Sequence, residues 1–489
     1  MIEQKEPNFR RNRGRMSEKV ESALENGLTR LPSSFRDPSG FLFEYDGVLY
    51  RQINTGYRDY YDYLMDSGLY KLLSQLGMLV QHEEVKGIFS EREAGYKVIC
   101  PKRIDFISYP YEWSFNQLKD AALLTLDIQA KALDHNMTLK DASAYNIQFD
   151  QGGPIMIDTL SFEKYCEGRP WVAYRQFCQH FLAPLALMAK ADFRLNKLLI
   201  AHIDGIPLDL GSKLVPRSTW LRPGLAIHLH LHARAQLAYG GTKSVRNNNK
   251  QQSRHVSKRG LVGILQGLRK TVANLKWRAS GTEWGNYYTD TNYSDVAFQE
   301  KRRLIAEYLQ RERPSKVWDF GANTGVFSRL ASGLKIPTIS FDIDPAAVDM
   351  NYLRVREDKE KLLLPLVLDL TNPSPALGWN SRERDSLCQR GPTDCLMALA
   401  LIHHLAISNN VPFDRMASFF SELCRTLIVE FVPKDDSQVN RLLRSRVDIF
   451  DRYDRAEFEA EFSRHFRILR AEEIRETKRR LYLMRNLKR

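Results

Sequence analysis

The chain has 489 residues, 43% of them hydrophobic, a formal net charge of +13 and six cysteines. That length exceeds one ordinary domain, and the apolar fraction is enough for substantial cores. No apolar run is long enough to span a bilayer, the polar and basic first twenty residues lack the apolar centre of a signal peptide, and cysteines 100, 166, 178, 388, 395 and 424 show no Cys-x-x-Cys pairing; a membrane span, a secretory leader, a zinc knuckle and a disulfide framework are therefore not expected, and a reducing, cytoplasmic setting is.

Residues 1–35 read as a mobile basic tail. From Phe41 the pattern is strand-like: Phe41 to Tyr45, an Asp46-Gly47 turn, then Val48 to Ile53. Asp-Gly between two such runs signals a hairpin. Helical spacing follows from Tyr61 to Leu76, then strand candidates at 96–100 and 105–109 and, after Ser114, a long helix to about His135 whose wide apolar face suits burial among helices.

Behind that helix stand Asp141 and Asn146, spaced Asp-x4-Asn, and Asp158 closes a strand-like run twelve residues later. This arrangement resembles protein kinases and aminoglycoside phosphotransferases, and the hairpin-then-helix order agrees with it. The resemblance implies a two-lobed kinase-like domain over 36–235, with Asp141 orienting a nucleophile and Asn146 and Asp158 holding Mg²⁺ on ATP. The departures are Leu139-Lys140 before the aspartate, Thr159-Leu160 after Asp158, no glycine-rich loop before the hairpin, and Arg51 where a strand lysine is expected. An arginine does not copy a lysine's compact charge, so Asp141, Asn146 and Asp158 also fit a reading as inherited structural polar residues.

Helical patterns continue over 186–199 and 209–214. His228, His230 and His232 would share a face on a strand, but flanking helices favour a helical reading in which they diverge, so no metal site is expected there. Between Arg234 and Arg278 stand eleven lysines and arginines and no acid. Residues 236–280 thus read as a basic linker: a Gly/Ser/Asn/Gln-rich first half, then an amphipathic helix carrying Leu261, Ile264, Leu265, Leu268, Val272 and Leu275. The helix is expected to dock its apolar face beside the start of the next domain near Gly281, joining two separately folding units; a weak contact of 234–278 with an anionic surface is the alternative.

From 281 onward an aromatic lead-in (Trp284, Tyr287, Tyr288, Tyr293) precedes a helix capped by Ser294. Next comes Val317 to Phe327, in which a buried strand ends at Asp319 and meets glycines 321 and 325 before a helix. Asp342 ends a second strand-like run 23 residues after Asp319, where a ribose is gripped in a βαβ unit. These residues resemble the class I S-adenosylmethionine-dependent methyltransferases. Asp319-x-Gly321-x-Asn323-x-Gly325 matches their first motif, with an asparagine that tolerates left-handed backbone at the middle glycine. Phe341 to Pro345 matches the second motif, Leu366 to Asp369 the third, and Asp394 to Ala400 the fourth strand.

The resemblance implies a Rossmann-like seven-stranded sheet over 281–489, α/β beside the α+β N-terminal half. It also implies S-adenosylmethionine as cofactor, bound by Asp319, Gly321, Asn323, Gly325, Asp342, Ile343, Asp369 and Leu370. His403, His404 and Glu430, after the fourth and fifth strands, are the candidates for catalysis, a base being needed if the acceptor is a hydroxyl. The Asn/Asp-Pro-Pro-aromatic sequence of enzymes that methylate DNA bases is replaced by Ala400-Leu401-Ile402-His403-His404, which points away from DNA towards a small molecule or saccharide. The whole order is loosely similar to large bacterial methyltransferase-like proteins of nodulation type; a binding module that senses the cofactor without turnover remains the alternative.

Overall fold

The structure is a computed structural model of the chain and describes residues 28–86, 95–240, 255–277, 293–444 and 447–488. Gly281, Trp284, Tyr287 and Tyr288 lie outside those residues, as does 241–254 of the linker.

The N-terminal half opens with an antiparallel sheet in the order β1-β2-β3-β5-β4, formed by β1 (Thr29–Arg30), β2 (Gly40–Tyr45), β3 (Val48–Asn54), β4 (His82–Val85) and β5 (Gly95–Pro101). Residues 29–30, read from sequence as tail, are thus the edge of the sheet. Asp46 and Gly47 both take positive φ, 51° and 73°, the paired left-handed geometry that matches strand twist in a two-residue hairpin. The single helix expected over 61–76 is two, α1 (Arg58–Asp66) and α2 (Leu69–Gln75). They break at Gly68, whose φ is 77°.

The run 105–109 is not a strand. Phe106 leaves the N-terminal half and sets its ring edge-on to Trp318 and Phe341, at 5.6 and 6.0 Å, so apolar character there serves a contact between halves and not a ladder. After it, α3 (Phe115–Asp134) starts at Ser114, whose side chain and that of Gln117 form a reciprocal capping box, satisfying two otherwise orphaned N–H groups. Two two-stranded antiparallel sheets follow, β6 (Met137–Leu139) with β9 (Phe162–Lys164) and, between them in the chain, β7 (Ile147–Asp150) with β8 (Gly153–Met156). Beyond them come α4 (Ala183–Lys190), α5 (Leu208–Leu214) and a continuous helical stretch, 223–240. His228, His230 and His232 sit in that stretch, bonding to neighbours: His228 to Tyr174, His230 to Ser212 and Thr219.

The basic helix exists as α6 (Lys258–Asn274), and its buried residues are Leu261, Leu265, Leu268 and Val272. It packs on α3 of the N-terminal half. Lys119 on α3 donates to the carbonyls of Ala273 and Leu275 at its end (2.8 and 3.0 Å), and Arg269 pairs with Asp127 at 2.7 Å. Its docking partner is therefore the longest helix behind it in sequence, where the matching apolar face lies.

The C-terminal half is α7 (Asp295–Glu312), β10 (Val317–Phe320), α8 (Ser328–Gly333), β11 (Thr338–Asp342), α9 (Pro345–Glu357), β12 (Leu363–Val367), β13 (Thr393–Ala398), α10 (Phe413–Leu423), β14 (Cys424–Phe431), α11 (Ser437–Leu443), α12 (Arg455–Ser463), β15 (Phe466–Glu473) and β16 (Arg480–Asn486). The sheet has seven strands in the order β12-β11-β10-β13-β14-β16-β15. All neighbours from β12 to β14 are parallel and β16 runs antiparallel. The order reverses between β10 and β13, the switch point where such sheets open a crevice at their carboxyl ends.

The halves share one continuous apolar cluster. Around it, Arg390 grips Glu112 through two donors (2.9 and 2.5 Å). Both side chains are almost wholly buried. Ser374 donates to the same carboxylate, and Asn116 is held by Asp349 through its N–H and its side chain.

Candidate functional site

At that switch point β10, β11 and β13 end around a cleft of about 330 Å³. The turn after β10 is built from left-handed residues: Gly321, Asn323 and Gly325 have φ of 72°, 50° and 76°. Asparagine stands at the one non-glycine position because its short side chain closes locally, accepting the N–H of Thr324 at 2.8 Å. A Cβ on Gly325 would come within 2.5 Å of Asn351, so close packing of the turn on α9 requires that glycine. Ala400, just past β13 on the cleft wall, also has positive φ, 49°. Strain of that kind in a non-glycine residue persists where surrounding structure imposes it, commonly beside a ligand.

Two buried carboxylates form the cleft floor. Asp342 accepts the N–H of Asn323 on one oxygen (2.7 Å) and the N–H of Asp344 on the other (2.8 Å). Asp319 accepts the hydroxyl of Ser328 at 2.6 Å. Burial, acting against the charged form, pushes Asp319 up to about 7 and Asp342 up to about 6. Both carboxylates line the cavity. Ile343, Asp369 and Leu370 line the same wall, and Asp369 is fixed by accepting the N–H and hydroxyl of Thr371. The expected cofactor residues Asp319, Gly321, Asn323, Asp342, Ile343, Asp369 and Leu370 therefore converge on one cavity. Gly325 shapes the turn behind it.

The three candidates for catalysis part company. His404 lines the cleft, and burial with the nearby Arg479 charge lowers it to about 4. His403 is fully buried with no partner for Nδ1 and is driven far below the usual histidine range by burial. Glu430 sits inside an ion cluster: Lys301 donates to it at 2.6 Å, Tyr293 donates its hydroxyl, and Arg479 lies 3.7 Å away. Burial opposes the Glu430 charge, but Lys301 and Arg479 outweigh it and hold the carboxyl below its usual range. The cluster reaches the cleft through Lys301 and Tyr293. Sequence reading missed Lys301 and Arg479. A signal existed for the first, since Lys301 interrupts the buried stripe Ala297, Leu304, Ile305, Tyr308 of α7. No local pattern marks Arg479, whose partners Glu430 and Asp436 lie more than forty residues away.

In the N-terminal half, Arg51, Asp141, Asn146 and Asp158 also come together. Arg51 pairs with Asp158 at 2.6 Å and with Asp37 at 2.7 Å. The other Asp158 oxygen accepts the hydroxyl of Ser161, to which Asn146 also donates, at 3.1 Å. Asp141 caps the turn through the N–H of Ser143 and is raised by burial and by Asp158. Among the described residues no group of three or more His, Cys, Asp or Glu could hold a metal ion, and no helix is long and apolar enough to cross a membrane.

The strand order, the glycine turn and the acid at the end of the next strand give the C-terminal half a methyltransferase-like fold. Along its length the chain is 33% identical over 458 residues to nodulation protein NoeA of Rhizobium meliloti (strain 1021), covering 93% of this chain and 95% of that protein; it belongs to the family of NoeA. No protein-family model matches it. Solved structures similar to it include magnesium protoporphyrin IX methyltransferase from Synechocystis PCC 6803 with bound SAH (18% identity, 42% of this chain and 92% of that one, TM-score 0.30). Two others are the bifunctional kinase-methyltransferase WbdD (16%, 40% of each chain, TM-score 0.27) and the N-methyltransferase NodS from Bradyrhizobium japonicum WM9 (12%, 40% and 98%, TM-score 0.28).

Proposed function

We propose that the protein transfers a methyl group from S-adenosylmethionine to a small-molecule or saccharide acceptor, with the C-terminal half (281–489) as catalytic unit and the kinase-like half (36–235) as its scaffold and acceptor-binding partner. The observation that carries this is the Asp342 carboxylate: buried, lining the cavity, and anchored by the backbone N–H groups of Asn323, Asp344 and Ile343, it keeps acceptor capacity for a ribose hydroxyl. Asp342 would hold the ribose, with Ile343, Asp369 and Leu370 around the base. Asp319 suits the ammonium of the methionyl group, and Lys301 with Tyr293 its carboxylate. The cofactor supplies an electrophilic methyl on a sulfonium; the protein's part is to fix the acceptor in line with it and exclude water. Of the three base candidates, His404 is the one supported by position. Neutral at physiological pH, it is able to accept a hydrogen bond from an acceptor hydroxyl, whereas Glu430 is committed to Lys301.

The proposal does not extend to phosphotransfer. Magnesium is held by carboxylate oxygens facing the phosphates, and here one Asp158 oxygen is taken by Arg51 and the other by Ser161. Calorimetry with S-adenosylmethionine tests the reading, followed by incubation with labelled cofactor and bacterial extract to locate the product. Asp342→Ala should lose roughly 2–3 kcal/mol of binding; unchanged affinity would remove the assignment. Binding without any labelled product would instead favour a sensing module.

A further inference from the structure

With α6 docked on α3, its apolar face is spent, and the surface left for a partner lies elsewhere. From Leu210 to Thr282 the sequence contains fourteen lysines and arginines and no Asp or Glu. The described part of that span also carries a concentration of exposed apolar side chains: Leu221 is 85% exposed, Leu237 60%, Ile227 54% and Leu231 49%. Trp220 ties the turn that bears Leu221 to the 223–240 stretch, its ring stacked on His230 and capped by the Arg234 guanidinium, both at 4.4 Å. The stretch 223–240 packs on α5 and on the turn 217–221. It also meets α6 so closely that a Cβ on Gly224 would strike Thr271, next to which stands the exposed Lys270.

We propose that this face, Leu221, Ile227 and Leu231 bordered by Arg217, Arg222 and Arg234, docks on an anionic lipid surface. Protruding leucines and isoleucines gain by entering the acyl boundary, and an acid-free basic border gains from anionic headgroups; together they describe an interfacial helical face. Duplex nucleic acid would use the basic side chains but gives no reward for exposed aliphatic ones. A second copy meeting this face would set basic border against basic border.

The test is co-sedimentation of the full chain with vesicles of phosphatidylcholine alone and of phosphatidylcholine mixed with phosphatidylglycerol, with light scattering and duplex-DNA competition alongside. Binding to the anionic vesicles only is expected, weakening with salt. Leu221→Asp or Ile227→Asp should lower the partition coefficient roughly tenfold, and Arg217→Glu by more than about fivefold. Leu221→Ser serves where an aspartate variant does not fold. Absence of binding, equal binding to both vesicles, indifference to the Leu221 and Ile227 changes, displacement by DNA, or a dimer that Ile227→Asp dissociates would each overturn the proposal.

Discussion

Each half of the molecule buries aspartates at turns behind strands, and the two halves treat them in opposite ways. In the N-terminal half Asp158 is closed from both sides by Arg51 and Ser161. In the C-terminal half Asp319 and Asp342 face a cavity with burial outweighing their partners, so that each is raised well above a normal carboxyl. A carboxylate whose charge the protein already balances is architecture; one whose charge the fold leaves in deficit is poised for a ligand that brings hydroxyls or a cation. On this contrast rests the separation of roles proposed for the two halves.

The largest expected effect concerns what binds the halves together. Replacing Arg390 with alanine leaves the Glu112 carboxylate buried with only Ser374 and the N–H of Tyr109. An uncompensated buried charge of this kind costs about 3–5 kcal/mol, which chemical denaturation will read. Because Arg390 and Ser374 both belong to the excursion between β12 and β13, whose beginning at Asp369 lines the cleft, cofactor affinity should fall with stability. A variant that loses stability but keeps full affinity would separate the cleft from the interface.

Next in size is the direct comparison of acids. Asp342→Ala should weaken S-adenosylmethionine binding by roughly 2–3 kcal/mol, while Asp158→Ala leaves affinity unchanged and lowers only the melting temperature. Calorimetry and thermal unfolding on both variants check this. If Asp158→Ala weakens cofactor binding as strongly, the separation of roles between the halves is wrong.

What the sequence disclosed follows from the range of the physics involved. The Asp46-Gly47 hairpin, the Ser114 cap, the glycine turn from 321 to 325 and Asp342 are encoded within a few residues or one βαβ unit, and all were legible. Gly68, where the 61–76 helix breaks, is a local signal, but the apolar periodicity runs straight through it. The 105–109 run shows why composition alone misleads: Phe106 is apolar because it meets Trp318 across two hundred residues of chain, not because it pairs in a sheet. Arg390 with Glu112, Arg479 with Glu430 and Asp436, and the seat of α6 on α3 are long-range choices that leave no periodic trace in one sequence. The apolar face of α6 was plain; its partner was not.

A pH experiment sharpens the account of the cleft. A carboxyl raised from 3.8 in the unfolded chain to about 6 in the folded one binds more protons when folded. It therefore favours folding fully below pH 3.8 and loses that contribution as pH rises through 6. Asp342→Asn removes the charge that becomes unfavourable. The asparagine amide faces one of the two N–H donors, a cost that does not vary with pH; on top of it the cofactor-free variant should fare about 2 kcal/mol better against the parent at pH 8 than at pH 4. Equal differences at both pH values would mean that Asp342 is not held in charge deficit.

The smallest expected effect is a null one in the N-terminal half. Millimolar ATP with magnesium should leave the melting temperature of the parent protein where it was, because a ligand stabilises only the state that binds it and the Asp158 oxygens are already occupied. Arg51→Gln provides the complement. It frees one oxygen of Asp158 and one of Asp37, and any magnesium-dependent shift should appear only in that variant, at some loss of the parent's stability. A metal-dependent shift with ATP in the parent itself would mean that Arg51 gives way to the metal, and the opposition drawn between a balanced and an unbalanced carboxylate site would then fail in its N-terminal member.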